Sequence, residues 1–257
     1  MKVSFVGLLA LLFLIPTVHA ADVSIEDSII GLYVAYYNRA PDSAGFNFWK
    51  EQARKNGNTT ALKSISEGFA KNSQFTKDYP STLSNKEFIT KIYQNILNRA
   101  PDDEGLNFWE TRLTNGLSRS DFIIEYVNDV LNYMGDSEEG KKSTLMFKNK
   151  LDVSRFFMDT LKDASNGSSG TTAYTRSIEV LSAITDNLET ISLAKSQITK
   201  YCKEATTQCS ISSSESFNLI LKDNAGSSQS KSCNYKKIQW NSKGELELIL
   251  EDFENCL

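Results

Sequence analysis

Three sets of residues in this 257-residue chain have types and spacings suited to chemistry. The first is an N-R-A-P-D-x-x-G turn that occurs twice. It comprises Asn38, Arg39, Pro41, Asp42 and Gly45, then Asn98, Arg99, Pro101, Asp102 and Gly105. Each turn sets a guanidinium three residues ahead of a carboxylate, which suits either an anionic partner or a local ion pair. Because Arg39 is duplicated together with Asp42, and Arg99 with Asp102, the local pair is the simpler expectation. Asp102, Asp103 and Glu104 also gather the hard oxygens that calcium prefers. The first turn instead reads Asp42-Ser43-Ala44, so a calcium site is not a property of the repeat, and the expectation is a solvated turn with no metal. The second set is Trp49, Trp109 and Trp240, whose ring faces can stack on sugars. Trp49 and Trp109 sit at equivalent places beside Phe48 and Phe108, which favours a core role for both. Trp240 fits packing and recognition equally. The third set is Cys202, Cys209, Cys233 and Cys256, all near the C-terminus.

What is missing constrains the chemistry further. The chain has one histidine, His19, and it falls in a segment that reads as a secretory signal. Met1-Lys2 gives a positive start, Val3 to Ile15 is almost wholly apolar, Pro16 breaks the run, and Val18-His19-Ala20 fits a cleavage site. Residues 1–20 are thus expected to leave. With Lys2 gone, the remaining Lys and Arg number 27 against 32 Asp and Glu, a net charge of −5. A histidine-free chain has no Ser-His-Asp or Cys-His machinery and no His-ligated zinc or haem. Paired carboxylates remain able to cleave glycosides. The mild acidity disfavours nucleic acid as a partner. No later stretch reaches transmembrane length, so no stable span is expected after signal cleavage.

The turns lie inside a larger repeat. Residues 33–49, YVAYYNRAPDSAGFNFW, and 93–109, YQNILNRAPDDEGLNFW, are identical at ten of seventeen positions. This is a duplicated supersecondary unit. Ile29, Leu32, Tyr33, Tyr36 and Tyr37 follow helical spacing before the first turn, and Ile89, Ile92, Tyr93, Ile96 and Leu97 repeat it before the second. Ser84-x-x-Glu87 reads as a capping box, with a weaker Ser24-x-x-Asp27 opening the first copy. The proline stops the helix, and the aspartate either caps the next one or pairs with the arginine. Gly45 and Gly105 provide close packing or positive φ. Phe48-Trp49 and Phe108-Trp109 are expected to begin a second helix and cover the unit's core. A third helix follows, with Ile65, Phe69 and Phe75 matching Ile123, Val127 and Tyr133, and Ser118-x-x-Asp121 as its cap in the second copy.

The N-R-A-P-D-x-x-G-x-x-Phe-Trp signature resembles that of the bacterial domain of unknown function 4214 family. Those helical repeats occur in exported and surface-layer proteins, including RTX-type ones. Its turn is also similar to that of phycobilisome linker domains. The resemblance covers about residues 25–135 and extends weakly into 149–157 and 178–199. It implies an all-helical interaction or scaffold module outside the cytoplasm, with no catalytic residue set. No calcium-binding G-G-x-G-x-D tract is present.

Beyond the repeat, Phe147, Leu151, Phe157 and Leu161 suggest a helix, and Asn166–Gly170 a loop. Residues 178–199 form an amphipathic stretch that Asp186-x-x-Glu189 resets. After Cys209 the texture turns strand-like, at 217–221, 237–240 and 245–250, with a hairpin turn at 241–244. Four cysteines in an exported chain read as two disulfides, Cys202–Cys209 and Cys233–Cys256 being the favoured pairing.

The expected architecture is mainly α. A signal peptide spans 1–20. A helical repeat domain spans 21–200, with copies at about 25–80 and 84–135 and an extension over 140–200. A small disulfide-tied, β-rich domain spans 201–257. The expected function is an exported, non-enzymatic binding or structural module of the bacterial envelope or surface. It is periplasmic, cell-surface or extracellular, takes a protein or glycan partner and needs no cofactor. A carboxylate-based hydrolase of envelope glycans is the alternative.

Overall fold

The computed structural model describes residues 23–165 and 171–204, together with the backbone of 216–222, 228–240 and 246–250. The signal segment, the 166–170 loop, Cys209, Cys256 and the 241–244 turn lie outside the described residues.

The fold is mainly helical. The first copy comprises α1 (Ile25–Tyr37), α2 (Ser43–Asn56), α3 (Asn58–Ala70) and α4 (Ser73–Asp78). The second comprises α5 (Asn85–Leu97), α6 (Asp103–Thr114) and α7 (Arg119–Leu131). A long α8 (Glu138–Leu161) follows, then a 3-10 turn (Lys162–Ser165), α9 (Thr172–Ser182) and α10 (Leu188–Glu204). Three backbone segments, β1 (Ser216–Lys222), β2 (Ser228–Trp240) and β3 (Leu246–Leu250), pair antiparallel in the order β1-β2-β3. Ser216 lies opposite Asn234 and Trp240 opposite Leu246, with a register irregularity at Tyr235/Lys237.

Serine caps fix the helix starts. Ser24, Ser84 and Ser118 each accept from the amide three residues on, and Ser84 with Glu87 completes a reciprocal capping box. Asn38 and Asn98 end α1 and α5 in the left-handed region, at φ 49° and 50°. Asparagine tolerates that conformation better than other side-chain-bearing residues, so it stops both helices in the same way.

The described residues divide into two compact units. The first holds residues up to Asn38 with Phe46–Leu151; the second holds Arg39–Gly45 with the chain from Asp152. Within the second, α9 packs on α10 and on the 3-10 turn, and Lys195 of α10 pairs with Asp152 of α8.

In the first unit like packs on like. α1 lies against α5 and α3 against α7, while α1 also contacts α3 and α7. Ile29, Leu32, Ile65, Ile89, Ile92, Phe122, Ile123 and Phe147 are essentially removed from water. Each such side chain is worth about 1.5–3 kcal/mol of transfer free energy. A buried hydroxyl chain crosses the apolar core. Tyr36 Oη donates to the Ser66 carbonyl at 3.0 Å, and Ser66 Oγ donates to the Ser120 carbonyl at 2.9 Å, joining α1, α3 and α7. Burial pushes the Tyr36 hydroxyl up to about 12, so it remains a neutral donor.

In the second unit the first turn is held by its own neighbours. The Ala40 amide donates to Ser177 Oγ at 2.6 Å, and Ser43 Oγ donates to the Met158 carbonyl at 3.2 Å. The amphipathic stretch over 178–199 is divided into α9 and α10 at the reset read from the sequence, but the cap needs correction: it is Asn187, whose Oδ1 accepts from the Glu189 amide, rather than Asp186.

Candidate functional site

The aspartates of the two turns are helix caps. The amide of Gly45 donates to Asp42 Oδ1 and that of Gly105 to Asp102 Oδ1, both at 2.7 Å. A carboxylate there satisfies orphan amides and meets the positive end of the helix dipole. The arginines diverge. Arg39 is buried and pairs with Asp42 at 3.9 Å, whereas Arg99 reaches Glu139 at 3.2 Å and Ser143 at 3.0 Å. The local Arg–Asp pair is therefore found in one copy only. Both guanidiniums also donate to the carbonyl of the next residue, Ala40 or Ala100.

Of the turn glycines, Gly105 serves close packing. Neither has positive φ. A Cβ on Gly105 would lie 2.8 Å from Tyr93 Oη and 3.0 Å from the capping Asp102 Oδ1. Asp103 and Glu104 lie exposed in the first turn of α6. Among the described residues no group of three or more His, Cys, Asp or Glu side chains is placed to hold a metal ion.

The aromatic pairs divide their labour. Trp109 is 3% exposed and packs edge-on against Phe122 at 5.0 Å and Tyr126 at 5.8 Å. Trp49 is half-buried, edge-on to Phe69. Their neighbours turn outward: Phe48 is 54% and Phe108 52% exposed. Consecutive residues on a helix project about 100° apart, so only one of each Phe-Trp pair can enter the core. The expectation that Phe48 and Phe108 help cover the core is thus corrected. The face that a ligand could reach belongs to the phenylalanines.

Around Phe108 the surface is polar. The Arg112 guanidinium lies 5.7 Å from the Phe108 centroid and 5.3 Å from that of Trp109, and it pairs with Glu125 of α7. One turn further on stands Asp129, exposed on α7. Desolvation, then the charge of Glu125, raise its carboxyl above the usual range, against a lowering by Arg112. In the first copy the corresponding positions are Gln52, Glu67 and Lys71.

One further group was not visible in the sequence. Lys150 of α8 is fully buried. Its Nζ donates to the Asn95 carbonyl at 2.6 Å and to Asn98 Oδ1 at 2.7 Å, closing the C-terminus of α5 and the second turn. Desolvation lowers the amine from 10.5 to about 7. Its acceptors are neutral, but they lie at the negative end of a helix dipole. A lysine at a position read as part of a helix gives no sign of burial.

Trp240 and Cys233 lie on β2, and Cys202 is buried on α10. The roles read for Cys209 and Cys256 lie outside the described residues.

The fold defines a class first: a duplicated helical unit whose copies are joined by like helices. Within it, residues 66–139 match the family described as Domain of unknown function (DUF4214), the family that the turn motif resembles. Neither a curated protein nor a solved structure matches the chain.

Proposed function

We propose that this chain is an exported, non-enzymatic binding or structural module of the bacterial envelope or surface, acting on a protein or glycan partner. One observation carries the reading. Both copies leave the same phenylalanine more than half exposed while directing the neighbouring tryptophan inward. The motif's charged residues, in contrast, are engaged in caps and turns. A large apolar ring held in water twice, at equivalent places, is what a contact surface requires and a core does not.

The apolar segment Val3–Ile15 and the cleavage pattern at Ala20 support export. We also assign a small disulfide-tied, strand-rich C-terminal element, with Cys202–Cys209 and Cys233–Cys256 as the bridges. In support, no described cysteine is a free thiol, and β1–β3 occupy the segment.

The test is photo-crosslinking from position 48 or 108 in intact cells that produce the full chain. An adduct with an envelope component supports the reading; a product confined to the cytoplasm, or no adduct from either position, overturns it.

The hydrolase reading has one observation in its favour: Glu125 and Asp129 lie a turn apart, and desolvation followed by the neighbouring charge raises the Asp129 carboxyl. Release of reducing ends from envelope polysaccharide, abolished by Glu125→Gln, is the result that reading demands.

A further inference from the structure

Resting on the binding-module reading, we infer that the α6–α7 face around Phe108 is a carbohydrate-binding site for an uncharged polysaccharide, with the face around Phe48 as its weaker duplicate.

The first argument is the isolation of the ring. Phe108 is 52% exposed, and the other large exposed apolar side chains among the described residues, apart from its counterpart Phe48, are Met134, Leu145, Leu188 and Leu193. None of those four lies on α6 or α7. A protein partner's apolar stripe needs a contiguous apolar area to cover. A pyranose presents only a small patch of C–H groups bordered by hydroxyls, and one aromatic ring with polar neighbours matches it.

The second argument is the polar border. Arg112 stands beside the ring and offers guanidinium N–H donors. Glu125, held by Arg112, and Asp129 one turn on offer carboxylate acceptors. Vicinal hydroxyls both donate and accept, so they pair with such a mixed set. Charge selects among sugars: one guanidinium faces two carboxylates, which disfavours an anionic polymer such as a polyuronate.

The third argument is the duplication. The first copy repeats the exposed ring at Phe48, a hydrogen-bonding side chain at Gln52 and a carboxylate at Glu67. A polymer of repeating sugars can engage two like sites, and linked sites gain avidity without new contacts.

The experiment titrates the full exported chain with tetrasaccharides of glucose in β-1,4 and α-1,4 linkage and of N-acetylglucosamine in β-1,4 linkage, with a tetragalacturonate as the anionic control. At least one neutral probe is expected to bind. Phe108→Ser should weaken it by about tenfold or more, Arg112→Gln should weaken it less, and both should leave thermal unfolding within a degree or two of the parent. Tetragalacturonate should bind more weakly than the neutral probe. Binding that survives Phe108→Ser unchanged, or preference for the anionic sugar, overturns the site. If no neutral probe binds but position 108 crosslinks to an envelope protein, the carbohydrate inference fails and the binding-module reading stands. If neither occurs, both fail.

Discussion

Lys150→Met is the sharpest perturbation of the helical unit. In the folded chain the amine is fully buried on two neutral acceptors and lowered to about 7, against 10.5 for an exposed lysine. Between those values the unfolded chain holds a proton that the folded chain does not. Stability therefore rises with pH through this window, with a limiting slope of about 1.4 kcal/mol per pH unit. Across the full gap from 10.5 to about 7 this amounts to about 5 kcal/mol. Below pH 7 both states are protonated and the slope vanishes. Burial raises the Tyr36 and Tyr126 hydroxyls. Their contribution is lost as pH rises past 10, so the clean range ends near pH 9.5. Urea unfolding followed by tryptophan fluorescence, from pH 6.5 to 9.5, should show the parent gaining about 3 kcal/mol. Lys150→Met keeps the length of the side chain and removes the proton. Its curve should be nearly flat, and its stability should fall below the parent's at pH 9.5. Near pH 7 the difference should be small, because losing the buried amine offsets about 1–3 kcal/mol from the two acceptors left without a donor. Parallel curves for parent and variant would refute the reasoning.

Other expectations follow from the same geometry. Asp102→Ala removes the cap on the Gly105 amide and should cost about 1 kcal/mol, read as a lower melting temperature; adding Pro101→Ala should lower it further. Gly105→Ala drives a methyl against Tyr93 Oη and the capping oxygen; it should destabilise by about 1–3 kcal/mol despite alanine's better helix propensity. Tyr36→Phe removes the donor to the Ser66 carbonyl and should cost about 1–2 kcal/mol in urea unfolding. Hydrogen bonds from Ser84 hold the Glu87 carboxyl below its usual value, so its stabilisation is complete above the unfolded carboxylate's pKa and is lost as pH falls through the lower, folded value. Melting of Glu87→Gln between pH 3 and 6 should accordingly depend less on pH than that of the parent.

The repeat and its caps were legible because they rest on local rules. Ser24, Ser84 and Ser118 cap by hydrogen bonds within three residues, and so do Asp42 and Asp102. Three features depended on tertiary context. Phe48-Trp49 and Phe108-Trp109 are consecutive apolar residues, and composition does not say which of the two faces inward. The Arg–Asp pair formed at Arg39 but not at Arg99, because Glu139 and Ser143 offered Arg99 better partners. Lys150 is buried because the open C-terminus of α5 supplies its acceptors, a match between residues 52 and 55 positions apart.

The central claim is that Phe48 and Phe108 serve a partner rather than the fold. Its most direct test combines thermal unfolding with envelope binding for the Phe48→Ser, Phe108→Ser double variant. The account predicts an unchanged melting temperature and lost binding. A melting temperature lowered by several degrees with binding retained would contradict it.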